Sequence, residues 1–135
     1  MKLIFKLILT LLFAISPIGF SSPDITQNRP QLVSPDTVTL TVYKLDDYIV
    51  KPPITASGIL LDETNPKSHN IIAVSRDLLG KYNFGDSVYL SGAGEYDGVY
   101  IIEDLMHYRW SNRIDILINI DDPITKLDSV VIHKL

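Results

Sequence analysis

The stretch "TVTLTVYK", residues 37–44, alternates without a break: Val38, Leu40 and Val42 share one face, and Thr37, Thr39, Thr41 and Tyr43 share the other. A period of two in β-branched and aromatic residues marks a half-buried strand. Working outward, five more short runs of the same character follow: "IIAVS" (71–75), "SVYLSG" (87–92), "VYIIED" (99–104), "IDILIN" (114–119) and "SVVIHKL" (129–135). Turn chemistry separates them. Pro52-Pro53 cannot sit in a central strand, and Gly58, Asn65-Pro66, "FGD" (84–86) and "GAGEYDG" (92–98) punctuate the rest. "RDLLGKY" (76–82) reads as one or two helical turns. "DDPITKL" (121–127) reads as another, with Asp121 or Asp122 as N-cap and Pro123 at the first position. Six short strands and no long helix predict an all-β fold, closed into a small six-stranded barrel.

The remainder of the 135 residues allows no second domain of any size. Lys2 and Lys6 precede an apolar run from Leu7 to Ile15, which is too short to span a bilayer comfortably. Pro17, Gly19 and Ser21 then supply a helix breaker and small residues, so residues 1–21 are expected to be a signal peptide cut near Ser21. An uncleaved anchor is the alternative. Residues 22–36, "SPDITQNRPQLVSPD", carry three prolines and no periodicity and read as a flexible leader. The domain is expected over 37–135, exported to the periplasm, the cell envelope or the outside, with no membrane span after cleavage. A domain of this size is read as a monomer.

There is no cysteine, which excludes disulfides, thiol nucleophiles, thiolate metal sites and lipid attachment through a lipobox. Of 12 basic residues, removing Lys2 and Lys6 leaves 10 against 16 acidic ones, a net of −6. That balance is wrong for a phosphate backbone, and no basic stripe with interleaved aromatics is present. Nucleic acid is not an expected partner. His69, His107 and His133 lie too far apart in sequence to show metal-ligand spacing, so no metal and no cofactor are expected. Gly92, Gly94 and Gly98 precede no helix and make no phosphate-binding fingerprint, and Ser75 has no base paired with it.

Two aspartates need a reason. Asp104 closes the run Val99-Tyr100-Ile101-Ile102, and Asp115 sits between Ile114 and Ile116. Charge in an apolar setting is costly unless it is paired or hydrogen-bonded. The order of "TVYK", "ITASG", "IIAVSRDLL", "FGDSVYLSGAG", "GVYIIED", "NRIDILI" and "VVIHKL" resembles the 3D (Asp-Asp-Asp) domain, a double-psi β-barrel related to rare lipoprotein A-like domains. The likeness covers the whole of 37–135 and is similar to the catalytic barrel of membrane-bound lytic transglycosylase A. It implies an exported domain that cleaves the glycan strands of peptidoglycan. The family's second aspartate falls on Asp104 and its third, the catalytic acid and base of the transglycosylases, on Asp115. Its first falls on Ser75, with Asp77 displaced by two. Where the transglycosylases carry a Gly-rich segment after the second aspartate, this chain has "LMHYRWSN" (105–112). The aromatic faces of Tyr108 and Trp110 then stand as sugar platforms, Thr55 and Ser57 resemble the polar wall of the groove or else serve a turn, and Tyr43 is placed either to pack or to touch sugar.

The chemistry is coherent without the family. Cleaving a glycosidic bond takes a carboxylic acid whose pKa is raised towards neutrality, and apolar surroundings raise it by disfavouring the anion. On this reading Ile114, Ile116 and Leu117 hold Asp115 protonated, and Asp104 stays ionised to stabilise the oxocarbenium-like transition state. The rival is structural. Arg113 leaves the strand on the same face as Asp115, roughly 7 Å away at the backbone. An ion pair there would lower the aspartate's pKa, and both aspartates would then be staples of the barrel. Three functions stay open: a lytic transglycosylase using Asp115 and Asp104, a glycan- or protein-binding barrel without catalysis, and a structural envelope protein.

Overall fold

The structure is a computed structural model and describes residues 14, 17–19, 32–47 and 51–135. The chain divides into two units, Met1–Gln31 and Leu32–Leu135. The expected signal peptide, apart from four isolated residues, and residues 22–31 of the expected leader lie outside the described residues. No described helix is long and apolar enough to cross a membrane.

Six strands form the second unit: β1 (Asp36–Tyr43), β2 (Ile71–Val74), β3 (Ser87–Ser91), β4 (Gly98–Leu105), β5 (Arg113–Leu117) and β6 (Lys126–Lys134). They close into a barrel in the order β1-β5-β2-β4-β3-β6. β1 with β5 and β2 with β4 are parallel, and the other four pairs are antiparallel. Exchanging the first three strands for the last three maps this pattern onto itself: β1–β5 becomes β4–β2, and β3–β4 becomes β6–β1. The wiring is that of a double-psi barrel, two interlocked three-stranded halves.

Each strand sends alternate residues inward. Val38 and Leu40 of β1, Ile72 and Val74 of β2, and Ile114 and Ile116 of β5 meet Val88, Leu90, Ile102, Val130 and Ile132 in one core. Each such burial stabilises the fold by roughly 1.5–3 kcal/mol relative to exposure. β2 is buried on its outer face as well, because Ile71 packs there with Leu45, Leu61 and Leu117.

The structure corrects two expectations. Residues 121–127 form no helical turn. Instead the Asp122 carboxylate accepts from the Asn119 N–H (3.1 Å), and the Asp122 N–H donates to the Asn119 carbonyl (3.1 Å), closing a reverse turn. β6 then starts at Lys126, earlier than the apolar run suggests, because Thr41 and Leu40 of β1 offer ladder partners to Lys126 and Leu127. The helical turn expected within 76–82 is present as a single 3₁₀ turn, Arg76–Leu78.

The feature that matters most for the site is a break in the β2–β4 register. Ile72 pairs with Ile102, but the next residue, Ala73, pairs with Asp104. Glu103 is the extra residue of a β-bulge. Strict alternation would aim Asp104 the same way as Ile102, into the core. The bulge turns it to the outer face, as bulges beside functional sites do.

Candidate active site

With Asp104 re-aimed, one row of side chains crosses four strands on the outside of the barrel. Thr41 of β1 pairs with Asp115 of β5, Asp115 pairs with Ala73 of β2, and Ala73 pairs with Asp104 of β4. The two aspartates stand two strand spacings apart, about 10 Å at the backbone. Only the methyl group of Ala73 lies between them, so the floor stays open. Above the row is a groove of about 780 Å³, lined by both aspartates and Ala73, by Tyr43, Asp47 and Ile54, and by Leu105, Met106, His107, Arg109 and Trp110. Asp104 and Asp115 therefore share one open groove.

Their surroundings differ. Asp104 is buried, and its Oδ1 accepts the backbone N–H groups of Ala56 and Leu105, each at 2.9 Å. The Tyr43 hydroxyl donates to its Oδ2 (3.3 Å). Asp115 is half-buried and accepts a hydrogen bond from the Thr41 hydroxyl. Burial pushes the Asp115 carboxyl above its ordinary range, and the charges of Asp47 and Asp104 push the same way. The Thr41 hydroxyl and the Arg113 charge oppose them without prevailing. The source of the burial is not Ile114 and Ile116, as the sequence suggests. Successive strand side chains point to opposite faces, and those two isoleucines lie in the barrel core. The walls of the groove desolvate Asp115 instead.

Thr41→Val tests this balance. Losing the hydroxyl removes a donor that favours the anion, so the Asp115 pKa should rise further. An NMR titration following the Asp115 carboxyl carbon reads the shift, and a pKa that fell in the variant would contradict the assignment.

Arg113 forms no salt bridge with Asp115. Its guanidinium lies over the Trp110 ring, 3.9 Å from the centroid, and Arg109 lies 4.7 Å from the same ring. The ion-pair rival loses its geometry here. Comparison with protein-family models, curated proteins and solved structures gives no match. What the site can do is read from its own residues.

The other expected residues divide. Tyr43 and Trp110 line the groove. Tyr108 is 77% exposed, lies against the His107 ring and is absent from the lining. The hydroxyls of Thr55 and Ser57 bond each other (3.0 Å), and Thr55 Oγ1 also accepts the Ile59 N–H (3.0 Å). Both serve the turn that brings the Ala56 N–H to Asp104, and neither lines the groove. Ser75 is fully buried. Its Oγ accepts the Arg113 N–H (3.0 Å), which fastens β2 to β5.

Sequence reasoning missed Asp47, Met106 and Arg109, all of which line the groove. Asp47 sits in a short 3₁₀ turn beyond β1, and nothing in its neighbours marks it. Arg109 had a signal, since it adjoins the chain's one tryptophan. Among the described residues no group of three His, Asp or Glu side chains is arranged to hold a metal.

Proposed function

We propose that residues 37–135 form an exported glycan-cleaving domain of the lytic transglycosylase type, acting on the strands of peptidoglycan. One observation carries the reading. A carboxyl group held above its ordinary range by burial stands in an open groove, beside a second carboxylate that is hydrogen-bonded in place. That is the pairing glycosidic cleavage needs, with one group to deliver a proton and one to face the developing positive charge. The resemblance of the strand order to the 3D domain, with Asp104 and Asp115 at its second and third aspartates, supports the same conclusion.

On this reading Asp115 protonates the glycosidic oxygen as the bond to the anomeric carbon breaks. Asp104 stabilises the oxocarbenium-like transition state. The Asp115 carboxylate then takes the proton of the sugar's own 6-hydroxyl, whose oxygen closes on the anomeric carbon to give a 1,6-anhydro product. No activated water is needed, and Asp115 ends protonated as it began. The Trp110 ring offers an apolar face on which a pyranose can stack. Incubation with purified cell-wall sacculi should release 1,6-anhydromuropeptides detectable by mass spectrometry. Release of reducing-end products alone would replace the transglycosylase with a hydrolase.

A second reading, a glycan-binding barrel without cleavage, is favoured by one feature. Asp104 already accepts two backbone N–H bonds and so also acts as a staple. Binding to sacculi with no soluble product would establish that reading.

A further inference from the structure

The barrel has a second outer face, of different composition, to which the groove does not extend, since neither β3 nor β6 contributes to the groove lining. There Tyr89 of β3 stands opposite His133 of β6 and Val99 of β4, with Ser91 opposite Val131 and Ser87 opposite Ile101. The residues that alternate with them, Val88, Leu90, Ile102 and Ile132 among them, fill the core, so these seven side chains share the outside. Val99 is 54% exposed, and Tyr89 and Ile101 are each 39% exposed. Charged residues make up 21% of the chain and gather at surfaces, yet none of the seven is Asp, Glu, Lys or Arg. Large apolar side chains set side by side in water, with no charge among them, call for an occupant.

Charge and size choose the occupant. Anionic lipid and nucleic acid attract basic residues, and this face has none on a chain of net charge −4. Three strands by five residues span roughly 14 Å by 14 Å, about 200 Å² in outline. A second copy of the chain, or another stable protein partner, needs about 800 Å² on each side. A small uncharged ligand satisfies both limits. Along β3 the outward order is Ser87, Tyr89, Ser91, which sets a hydroxyl roughly 7 Å to either side of the ring at the backbone. The Ser91 hydroxyl is hydrogen-bonded to His133 Nε2 (3.0 Å). The His133 ring in turn meets Tyr89 at 50°, with centroids 6.2 Å apart, so one histidine steadies both the ring and the hydroxyl. A pyranose has the matching pattern, an apolar C–H face with hydroxyls around its rim.

We propose that this face is a second carbohydrate-binding site, which stacks an uncharged pyranose on Tyr89 with Ser87 and Ser91 as hydrogen-bonding flanks. It uses neither Asp104 nor Asp115 and does not depend on cleavage in the groove. Its role is to hold the barrel on a sugar polymer from outside the groove.

The test is a titration of the full chain with the soluble hexasaccharide of N-acetylglucosamine, which is uncharged, followed by amide chemical shifts. Signals of residues 87–91 and 99–101 should move and saturate. Tyr89→Ala should weaken the affinity read from those signals about tenfold, the scale of one aromatic stacking contact. Tyr89→Trp retains a flat ring and should keep the affinity. Because Tyr89 is exposed and outside the groove, Tyr89→Ala should release products from soluble glycan as the wild type does. Shifts confined to groove residues 105–110 overturn the second site and leave the groove reading standing. Shifts at 87–91 with none in the groove support the second site and count against a glycan groove. An absence of shifts anywhere overturns the site, as does an affinity unchanged in Tyr89→Ala. Movement of the same signals on concentrating the protein without sugar also overturns it, since two copies then meet on this face.

Discussion

Asp115→Asn should reduce release of 1,6-anhydro products from sacculi by about 10²–10⁴-fold, the usual contribution of a positioned general acid and base. Asparagine keeps the shape of the side chain and can still accept from the Thr41 hydroxyl, but it has no proton to give and take. The same variant should melt no lower than the wild type at neutral pH, which separates a catalytic role from a structural one. The sign follows from linkage. Burial first, with Asp47 and Asp104, raises the folded-state pKa of Asp115 above its ordinary value of 3.8. From about that pH up to the raised value, the folded chain keeps a proton that the unfolded chain has released. The group's contribution is therefore full below pH 3.8 and is lost as pH rises through the folded-state pKa. Asparagine abolishes that slope. Full activity in the variant, or a melting temperature that collapses with it, would make Asp115 a structural residue.

Asp104→Ala should have the larger effect on stability. The substitution removes the acceptor of the N–H groups of Ala56 and Leu105, both now bonded at 2.9 Å. Donors that lose their acceptor in a part-buried place cost about 1 kcal/mol or more each. A total of about 2 kcal/mol or more is a large part of the roughly 5–15 kcal/mol that holds a domain together. A melting temperature lower by more than about 10 °C is the expected result for a domain of this size. Asp104→Asn keeps the Oδ1 acceptor and should recover most of that loss, while glycan cleavage stays weakened because the negative charge is gone. Thermal scans of the two variants beside product release separate the staple from the charge. Equal melting temperatures for Ala and Asn would show that the two backbone bonds do not stabilise the barrel.

The six strands were legible because their signal is local. Alternation at 37–44 and the apolar runs at 71–75, 87–92, 99–104 and 114–119 each state their own conformation. Closure and the two parallel pairs are not local. Closure was read from the number and spacing of the short runs taken together, and no run states the two parallel pairs. Asp104 and Asp115 stood out as charges in apolar company, but the company was misread. Ile114 and Ile116 face the core, and the bulge at Glu103 that brings Asp104 outward leaves no mark in a pattern of period two. For Thr55 and Ser57 a binding role and a turn role read alike, because hydroxyls in a turn have the same composition whether they face a ligand or each other. Arg113 stood as the rival partner of Asp115, and its guanidinium lies over the Trp110 ring instead.

The interlocked wiring has a consequence in time. Thr41 and Asp115 are 74 residues apart and Ala56 and Asp104 are 48 apart, yet each pair is in direct contact. β5 lies between β1 and β2, although it follows both by many residues. Contacts of such long range close late in folding and make it slow. A partly folded chain can contain β1, β2 and even β4 and still lack both the proton donor and the strand that carries it. Activity should therefore appear in a single step with barrel closure, and no fragment or folding intermediate should cut glycan. Under the proposed glycan-cleaving function, late assembly of the site is a safeguard set by topology.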